Sequence, residues 1–339
     1  MENARINVSR TNQLIEKVIL INGFPGCGKT MLSPIIGSFE RVEIMQYPYQ
    51  IEQICELHNI KSIGDDVAES MIKMNADLLL YNSMMGRQIN CRPSDLSSIF
   101  KNDPIKHIKR MLKPGDQAIP GRIQKTKPIL HLTTHMQLGS SKLLYRALED
   151  NLTFIEVIRH PLFMLIQMEK NFNMFHTSRN QHITYSLKEK EYPFFVRGWE
   201  KNYNSANNFE KAIYSLHYYY SILFEKKYHN EVVIIPFERF VKEPDPFMAS
   251  ISNILECPID KNVKKEMLRQ KVPRKLLTDG PSLEIYKRCG WTPPSEDNDR
   301  AELNIRRKYI SDNVSKQAMT CLDTISASYE QRFIEGLFE

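Results

Sequence analysis

A glycine-rich loop after a short apolar run constrains this chain more than any other feature. Residues 18–21 are apolar and partly β-branched, which is typical of a buried strand. The loop fits the pattern G-x-x-x-x-G-K-[ST] in full and consists of Gly23, Phe24, Pro25, Gly26, Cys27, Gly28, Lys29 and Thr30. In such a loop, glycines let backbone N–H groups surround a phosphate, the lysine supplies a cation, and the last residue opens a helix. The loop therefore predicts phosphate binding, and a turn without a ligand is the alternative.

Composition and charge exclude several classes of protein. The chain has 339 residues, of which 42% are hydrophobic, and this is enough for a sizeable core. The net charge of +6 suits an anionic ligand better than nucleic acid. The six cysteines show no C-x-x-C spacing, so neither a zinc site nor a disulfide framework is predicted. Without a signal peptide or a bilayer-spanning apolar run, we expect a cytoplasmic protein with no stable membrane insertion.

Further apolar runs alternate with amphipathic segments along the chain. Residues 128–136, 152–158 and 231–237 predict strands, and residues 42–45 predict another. Helices are expected between the strands, because parallel neighbours need crossover connections. We therefore predict an α/β fold of the P-loop type, with three layers and a central, mostly parallel sheet flanked by helices.

Large apolar residues recur at helical spacing in the helix expected over residues 65–85. Met71, Met74, Leu78 and Leu79 are expected to form a stripe that faces the core, which is favoured over a methionine-rich cofactor site.

The segment from residue 92 to 127 is expected to be the least regular part of the chain. Its part between residues 101 and 127 carries eight Lys or Arg and only two acids, and Pro and Gly interrupt any long helix. Two interpretations stay open: a solvated basic loop, or a lid that attracts an anionic substrate.

Two more stretches match elements that one protein family has in this order. Residues 155–161 read Ile-Glu-Val-Ile-Arg-His-Pro, a strand followed by Arg159. Residues 232–244 read as a strand followed by Phe237, an acid and Lys-x-Pro. Together with the loop, these stretches make the chain resemble the sulfotransferases that use 3′-phosphoadenosine-5′-phosphosulfate (PAPS). Trp199, ahead of a long predicted helix, is similar too, and the resemblance extends from residue 18 to about 255.

The resemblance implies a division of roles around the PAPS donor. The loop would hold the 5′-phosphate, Arg159 would bind the 3′-phosphate, and Phe237 would lie against the adenine. Gln167 stands where the family has a serine, and its amide can also donate a hydrogen bond. Residues 287–291 partly match a basic segment that returns to the 3′-phosphate. The loop departs from the family pattern, because Lys29 stands three positions later, where ATP-binding loops have their lysine.

The resemblance also implies how the chain is organised. We expect a single sulfotransferase-like domain over residues 1–339. Its donor-binding core extends over about 17–255, and a C-terminal helical part extends over 256–339. Residues 92–127 and 176–197 are expected to form loops on the acceptor side.

Sulfuryl transfer needs a base for the acceptor and positive charge for the sulfuryl oxygens and the leaving phosphate. His135 ends a predicted strand and resembles the base of the cytosolic branch of the family; an imidazole pKa of about 6.5 suits that role. Glu43 is the rival base, because other branches use a Glu after the loop helix. Lys29 and the N–H groups of the loop would stabilise the negative charge. A purely structural role at the strand end is the alternative for His135.

These features predict a sulfotransferase that transfers a sulfuryl group from PAPS to a hydroxyl or amine acceptor, with carbohydrate among the acceptor classes. PAPS is the co-substrate, and no metal is expected. The partner is a small-molecule or glycan acceptor and not nucleic acid. Two alternatives stay open: a P-loop kinase or NTPase that uses ATP–Mg²⁺, and a non-catalytic nucleotide-binding protein. The sequence leaves the acceptor open, since one fold can carry many acceptor loops.

Overall fold

The apolar run before the loop forms β1 (Val18–Asn22), which lies inside the main sheet. It pairs in parallel with β2 (Leu130–Thr133) on one side and with β3 (Leu152–Ile158) on the other. All residues of these three strands are buried. This computed structural model describes residues 6–174, 177, 178, 180–280 and 298–337.

Four parallel strands make up the main sheet. A separate antiparallel hairpin consists of β4 (Thr184–Leu187) and β5 (Lys190–Pro193). The last strand, β6 (Val233–Pro236), pairs in parallel with β3, which gives the order β2-β1-β3-β6. The carboxyl ends of all four strands therefore lie at one edge, where open α/β sheets bind ligands. The predicted α/β fold with a central parallel sheet flanked by helices is confirmed.

Helices connect the strands and flank the sheet. Local signals fix several of their ends: Pro161 is the first residue of its helix, and Asn207 and Glu210 form a capping box. Among the described residues, no helix has the length and apolar character needed to cross a bilayer. The α-helices are α1 (Lys29–Gly37), α2 (Tyr49–Asn59), α3 (Asp65–Met85), α4 (Pro104–Met111), α5 (Ala118–Thr126), α6 (Ser141–Leu148), α7 (Pro161–Met174), α8 (Glu200–Ser205), α9 (Asn208–Phe224), α10 (Phe237–Lys242), α11 (Asp245–Leu255), α12 (Lys261–Arg269), α13 (Asp299–Ser311) and α14 (Lys316–Tyr329).

The strand predicted over residues 42–45 does not form. The segment makes only two isolated parallel bridges, one between Val42 and Ile129 and one between Gln46 and Leu132. Val42 and Gln46 are four residues apart, whereas their partners Ile129 and Leu132 are only three residues apart. The extra residue interrupts the ladder in the manner of a β-bulge, so no continuous strand can be paired there.

Three of the four residues predicted to face the core on α3 are exposed instead. Met71, Met74 and Leu78 are 40%, 51% and 54% exposed, whereas Leu79 is partly buried and packs against the core. The buried face instead carries four residues that are 0% exposed, namely Ala68, Ile72, Ala76 and Leu80. Both sets follow a helical repeat, and small alanines let α3 pack closely against α2 and α6. The neighbours that pack against α3, and not apolar character alone, decide which of its faces is buried.

The basic segment over residues 92–127 is more regular than predicted. It contains α4 and α5, and the Asp103 side chain caps α4 by accepting a hydrogen bond from the N–H of Lys106 at 3.0 Å. Pro104 occupies the first turn, where a missing N–H costs nothing. The proline that was expected to break a helix therefore starts one.

Two leucines on α3 test this assignment of faces. Leu80→Ala should lower the free energy of unfolding by about 2–5 kcal/mol, because it leaves a cavity under a fully buried side chain. Leu78→Ala, two residues away and 54% exposed, should change it by less than about 0.5 kcal/mol. Urea unfolding of both variants measures the difference, and equal losses would contradict the assigned orientation of α3.

Candidate active site at the carboxyl edge of the sheet

The glycine-rich loop, residues 23–30, connects β1 to α1 at the carboxyl edge of the sheet. Gly26 and Gly28 have φ values of 89° and 103°, a region that favours glycine. A Cβ atom on Gly28 would lie only 2.2 Å from the ring of Phe237. The first N–H groups of α1 have no partner within the helix, and Gly28 offers no side chain to cap them. This end of α1 is therefore suited to receive an anion.

Lys29 is folded back into the loop. Its Nζ donates hydrogen bonds to the carbonyl oxygens of Gly23 at 2.8 Å and of Phe24 at 3.4 Å. Burial lowers the pKa of Lys29, while the charges of Glu52 and Glu156 among its neighbours oppose that shift. The side chain, only 5% exposed, is thus held at the site before any ligand arrives.

Arg159 reaches the loop from the end of β3. Its Nη1 donates to the carbonyl oxygen of Gly26 at 3.1 Å. The guanidinium lies over the rings of Phe237 and Phe163, at 4.3 and 5.0 Å from their centroids. Its Nε is buried and has no hydrogen-bond partner among the described residues. The nearest carboxylate oxygen, Oε1 of Glu238, lies 4.0 Å from this Nε, which is within ion-pair range but too long for a hydrogen bond. The Nε therefore keeps the capacity to donate to a ligand oxygen.

The other predicted donor-binding residues surround the same loop. The side-chain oxygen of Gln167 lies 3.2 Å from the position of a Cβ on Gly26, so Gln167 is in contact with the loop. Thr30 is exposed in the first turn of α1, and Pro25 is partly buried. Burial raises the pKa of the Cys27 thiol, which keeps it neutral. The segment predicted at residues 287–291 lies outside the described residues.

His135 follows β2 and is oriented by Glu52 from α2. The carboxylate accepts hydrogen bonds from the backbone N–H of His135 and from its Nδ1, the latter at 3.0 Å. The Nδ1 proton then leaves Nε2 as an acceptor. Burial lowers the pKa of His135 and the charge of Lys29 lowers it further, against the opposing effect of Glu52. The ring is 21% exposed, so a ligand can reach it, and the lowered pKa favours the neutral imidazole.

Glu43, the rival base, is held in a buried ion pair. Its two oxygens accept hydrogen bonds from Arg110 at 2.6 and 2.8 Å, and Lys106 lies at 3.1 Å. Burial would raise the pKa of Glu43, but these cations outweigh it and lower the pKa to about 2. A carboxylate with that pKa is a weak base, so the geometry disfavours Glu43 for proton abstraction.

A cluster of buried polar side chains holds the residues of the site in position. The sequence did not predict this cluster. Glu156 of β3 accepts hydrogen bonds from the side chains of Asn22 and Tyr219, at 2.5 and 2.7 Å. Burial raises the pKa of Glu156 to about 7, although both hydrogen bonds and the charge of Lys29 oppose the shift. The signal in the sequence was a single acidic residue in a strand whose other residues, apart from Thr153, are apolar. Glu52 does not stand out in the sequence in this way, because glutamate is common in helices.

A cavity of about 260 Å³ lies beside the loop. Phe24 and Met136 line it from the carboxyl edge, and the acceptor-side segment predicted over residues 176–197 contributes Phe194, Phe195 and Arg197. The other predicted acceptor-side segment, residues 92–127, contributes to a different cavity of about 710 Å³, which shares no lining residue with the first. Each of the two predicted acceptor-side segments therefore lines a different one of these two cavities.

Three solved structures that the chain resembles are sulfotransferases. The sulfotransferase domain of the Synechococcus PCC 7002 olefin synthase is 12% identical, with a TM-score of 0.43, and the match covers 96% of this chain and 98% of that one. A Mycobacterium avium sulfotransferase is 11% identical, with a TM-score of 0.41 and coverage of 95% and 78%. A mouse sulfotransferase complexed with PAP is 10% identical, with a TM-score of 0.37 and coverage of 94% and 91%.

Sulfotransferases are thus among the structures that the chain resembles, as the sequence predicts. Identities of 10–12% and TM-scores of 0.37–0.43 carry no donor, acceptor or residue role over to this chain. No profile of a known protein family matches the chain, and no curated protein matches it in sequence. Among the described residues, no group of three or more His, Cys, Asp or Glu could hold a metal ion.

The ion pair of Glu43 gives a prediction with a defined pH dependence. Glu43→Gln should destabilise the fold by about 3–5 kcal/mol at neutral pH, because it leaves Arg110 buried without its carboxylate. The pKa of Glu43 is lowered to about 2, so this stabilisation is present above an unfolded-state pKa of about 4.3 and is lost as the pH falls through about 2.

Urea unfolding from neutral to acid pH measures the effect. The stabilities of the wild type and the variant should converge as the pH falls. Glu40→Gln, an exposed change three residues earlier, is the matched control and should alter stability by less than about 0.5 kcal/mol. A constant gap between wild type and variant across the acid range would refute the assignment.

Proposed function

We propose that this protein is a sulfotransferase that transfers the sulfuryl group of PAPS to the hydroxyl of a small-molecule acceptor. The proposal rests on one observation: two cations and a histidine–carboxylate pair lie at the same edge of the sheet. Buried Lys29 and Arg159 donate hydrogen bonds to carbonyl oxygens of the glycine-rich loop, and His135, which follows the neighbouring strand β2, is oriented by the Glu52 carboxylate.

The residues of the candidate site suit a donor that carries phosphate groups at two separate positions. The loop and the N-terminus of α1 offer backbone donors to one phosphate, with Lys29 beside them. Arg159 offers a planar guanidinium to a second phosphate, and its buried Nε makes no hydrogen bond, since the Glu238 carboxylate lies 4.0 Å away. When bound, PAPS would supply an activated sulfuryl group on a phosphate leaving group.

The protein's part in the reaction is proton transfer and charge stabilisation. His135 Nε2 would take the proton from the acceptor hydroxyl, while Glu52 holds the Nδ1 proton and stabilises the imidazolium that forms. The acceptor oxygen would then bond to sulfur as the bond from sulfur to the phosphate oxygen breaks. Lys29 and the loop N–H groups would stabilise the charge that moves to the leaving phosphate.

A P-loop kinase remains the second candidate, because Lys29 stands where ATP-binding loops have their lysine. Such an enzyme holds Mg²⁺ with a carboxylate near a strand end. Three carboxylates are near the ends of β2, β3 and β6, and all are already engaged. Glu52, near the end of β2, accepts from the backbone N–H and the Nδ1 of His135. Glu156 accepts from Asn22 and Tyr219, and Glu238 accepts from the backbone N–H of His160 and from Tyr329. This supports sulfuryl transfer over phosphoryl transfer.

Thermal-shift measurements with two nucleotides test the donor. PAP, the adenosine 3′,5′-bisphosphate left after transfer, should raise Tm without metal, and by more than ATP–Mg²⁺ does. At a ligand concentration of about 100 times Kd the stabilisation is about 2.7 kcal/mol. Arg159→Met should lose most of the shift with PAP, because it removes the guanidinium while keeping an apolar stem against the two rings.

Arg269→Met is the matched control, because that arginine is exposed on α12. It should leave the shift with PAP unchanged. A larger shift with ATP–Mg²⁺, together with release of the γ-phosphate, would establish the kinase alternative instead.

The pH–rate profile tests the His135–Glu52 pair. His135→Ala should lower kcat by roughly 10²–10⁴-fold, the usual range for loss of a general base. The pKa of His135 is lowered, so the acidic limb of the wild-type profile should lie below about pH 6.5. Glu52→Gln keeps a hydrogen-bond acceptor but removes the charge that raises the pKa, so the limb should move to still lower pH.

Glu43→Gln is the comparison variant for this profile, and its limb should stay in place. An unmoved limb in Glu52→Gln, or full activity in His135→Ala, would be inconsistent with this assignment.

A further inference from the structure

Helix α4 turns its apolar side to solvent and its charged side to the protein. Ile105, Ile108 and Met111 recur every three residues, so they share one face of the helix, and they are 62%, 50% and 56% exposed. His107 and Arg110, on the other side, are buried. Surface helices of globular proteins typically have the opposite orientation, with the apolar residues inward. A partner that covers the apolar face would explain the reversed orientation of α4.

Buried contacts fix α4 in this orientation. Both terminal nitrogens of Arg110 donate to the Glu43 carboxylate, at 2.6 and 2.8 Å, and Nζ of Lys106 lies 3.1 Å from it. Turning the apolar face inward would separate these cations from Glu43 and leave its charge buried and unpaired, which is strongly destabilising. The exposed apolar face is therefore part of the fold.

Apolar exposure is concentrated around this helix. Five of the sixteen exposed large apolar side chains among the described residues lie between residues 100 and 112. Leu112, directly after the helix, is 83% exposed, and Phe100, shortly before it, is 53% exposed. Single apolar residues are normal on a protein surface, whereas a group of this kind is typical of a surface that contacts a partner or a membrane.

Unpaired lysines border the apolar face. Lys101, Lys109 and Lys113 are exposed and form no ion pair with any residue that the structure describes. Lys109 lies on α4 itself, and the other two stand just before and just after the helix. Asp103 and Asp116, the only acids between residues 101 and 127, already accept hydrogen bonds from other groups. The surface around the apolar face therefore carries a local excess of positive charge.

We propose that α4 binds the surface of an anionic lipid bilayer, with its apolar face below the headgroups and the three lysines at the lipid phosphates. Amphipathic helices with basic residues bind anionic membranes in this way, and lysine stems can extend along apolar surface to reach the headgroups. A second copy of the chain fits less well, because a two-fold contact through this face would bring the same lysines together. An acidic protein partner would match the charge but would give no affinity for pure lipid.

The lipid-binding face lies away from the candidate active site. Glu43, which holds α4, donates its backbone N–H to the carbonyl oxygen of Ile129, directly before β2 begins. This is the amino-terminal edge of the sheet, whereas the glycine-rich loop and His135 lie at the carboxyl edge. Membrane contact through α4 would leave the loop accessible to a nucleotide, and it does not depend on the proposed function.

Cosedimentation of the full chain with lipid vesicles tests the proposal. The protein should bind vesicles of phosphatidylcholine that contain about 30% phosphatidylglycerol. Vesicles of phosphatidylcholine alone should bind roughly 10- to 100-fold more weakly, because they do not attract the lysines. Binding to the anionic vesicles should also weaken as the salt concentration rises from about 0.05 to 0.5 M, since the Debye length then shortens.

Two double variants separate the apolar contribution from the charge. Ile105→Ser with Ile108→Ser should lower the affinity for anionic vesicles at least roughly tenfold, because it removes two apolar side chains from the contact. Lys109→Gln with Lys113→Gln should lower it by roughly 25-fold, about 5-fold for each lysine. All four side chains are exposed, so both variants should keep the wild-type Tm.

Ile305→Ser with Lys308→Gln is the matched control, because it changes the same residue types at exposed positions of α13. It should bind the anionic vesicles as the wild type does. Failure of the wild type to bind anionic vesicles overturns the proposal without any variant. Binding that both α4 variants retain in full overturns it as well, since the contact would then lie elsewhere. A dimer in sedimentation velocity that Ile105→Ser with Ile108→Ser dissociates would assign the face to a second copy instead.

Discussion

The candidate site depends on the hydrogen bonds of one side-chain amide, that of Asn22. Its nitrogen donates to Glu156 and Tyr219, and its oxygen accepts from the side chain of Thr134 and the N–H of Gln137. All of these groups are buried, where an unmade hydrogen bond costs about 1–3 kcal/mol. The amide therefore ties the last residue of β1 to β3, to α9 and to the segment after β2. The glycine-rich loop begins one residue after Asn22, and His135 follows Thr134, so one polar cluster sets the spacing between loop and imidazole.

Much of the fold follows from local sequence. The apolar runs gave β1, β2, β3 and β6, and the alternation with helices gave a parallel sheet. Parallel strands place their carboxyl ends at one edge, so the strand pattern alone predicts that the loop, His135 and Arg159 lie close together. Arg159 stood out because a strand ended there and Pro161 started a helix. Predictions succeeded where a short stretch carried its own boundary signals.

Other features depend on partners far apart in the chain. Glu52 and His135 are 83 residues apart, and Glu43 and Arg110 are 67 apart. Nothing in the sequence around Glu52 or Glu43 says which carboxylate will meet a histidine and which a guanidinium. The stripe on α3 failed for a related reason. Periodicity defines two faces of a helix, but the neighbours that pack against it decide which face is buried.

The contacts of Lys29 have a further consequence for how the loop meets a ligand. A free lysine side chain has about 2 kcal/mol of rotamer entropy, which is lost whenever its amine is fixed. Here the amine is already fixed on the carbonyl oxygens of Gly23 and Phe24 when the chain folds. Binding of a phosphate would then exchange one set of oxygen partners for another and would leave the side chain about as ordered as before. The loss of side-chain entropy that positions this cation therefore lowers the stability of the fold and does not weaken ligand binding.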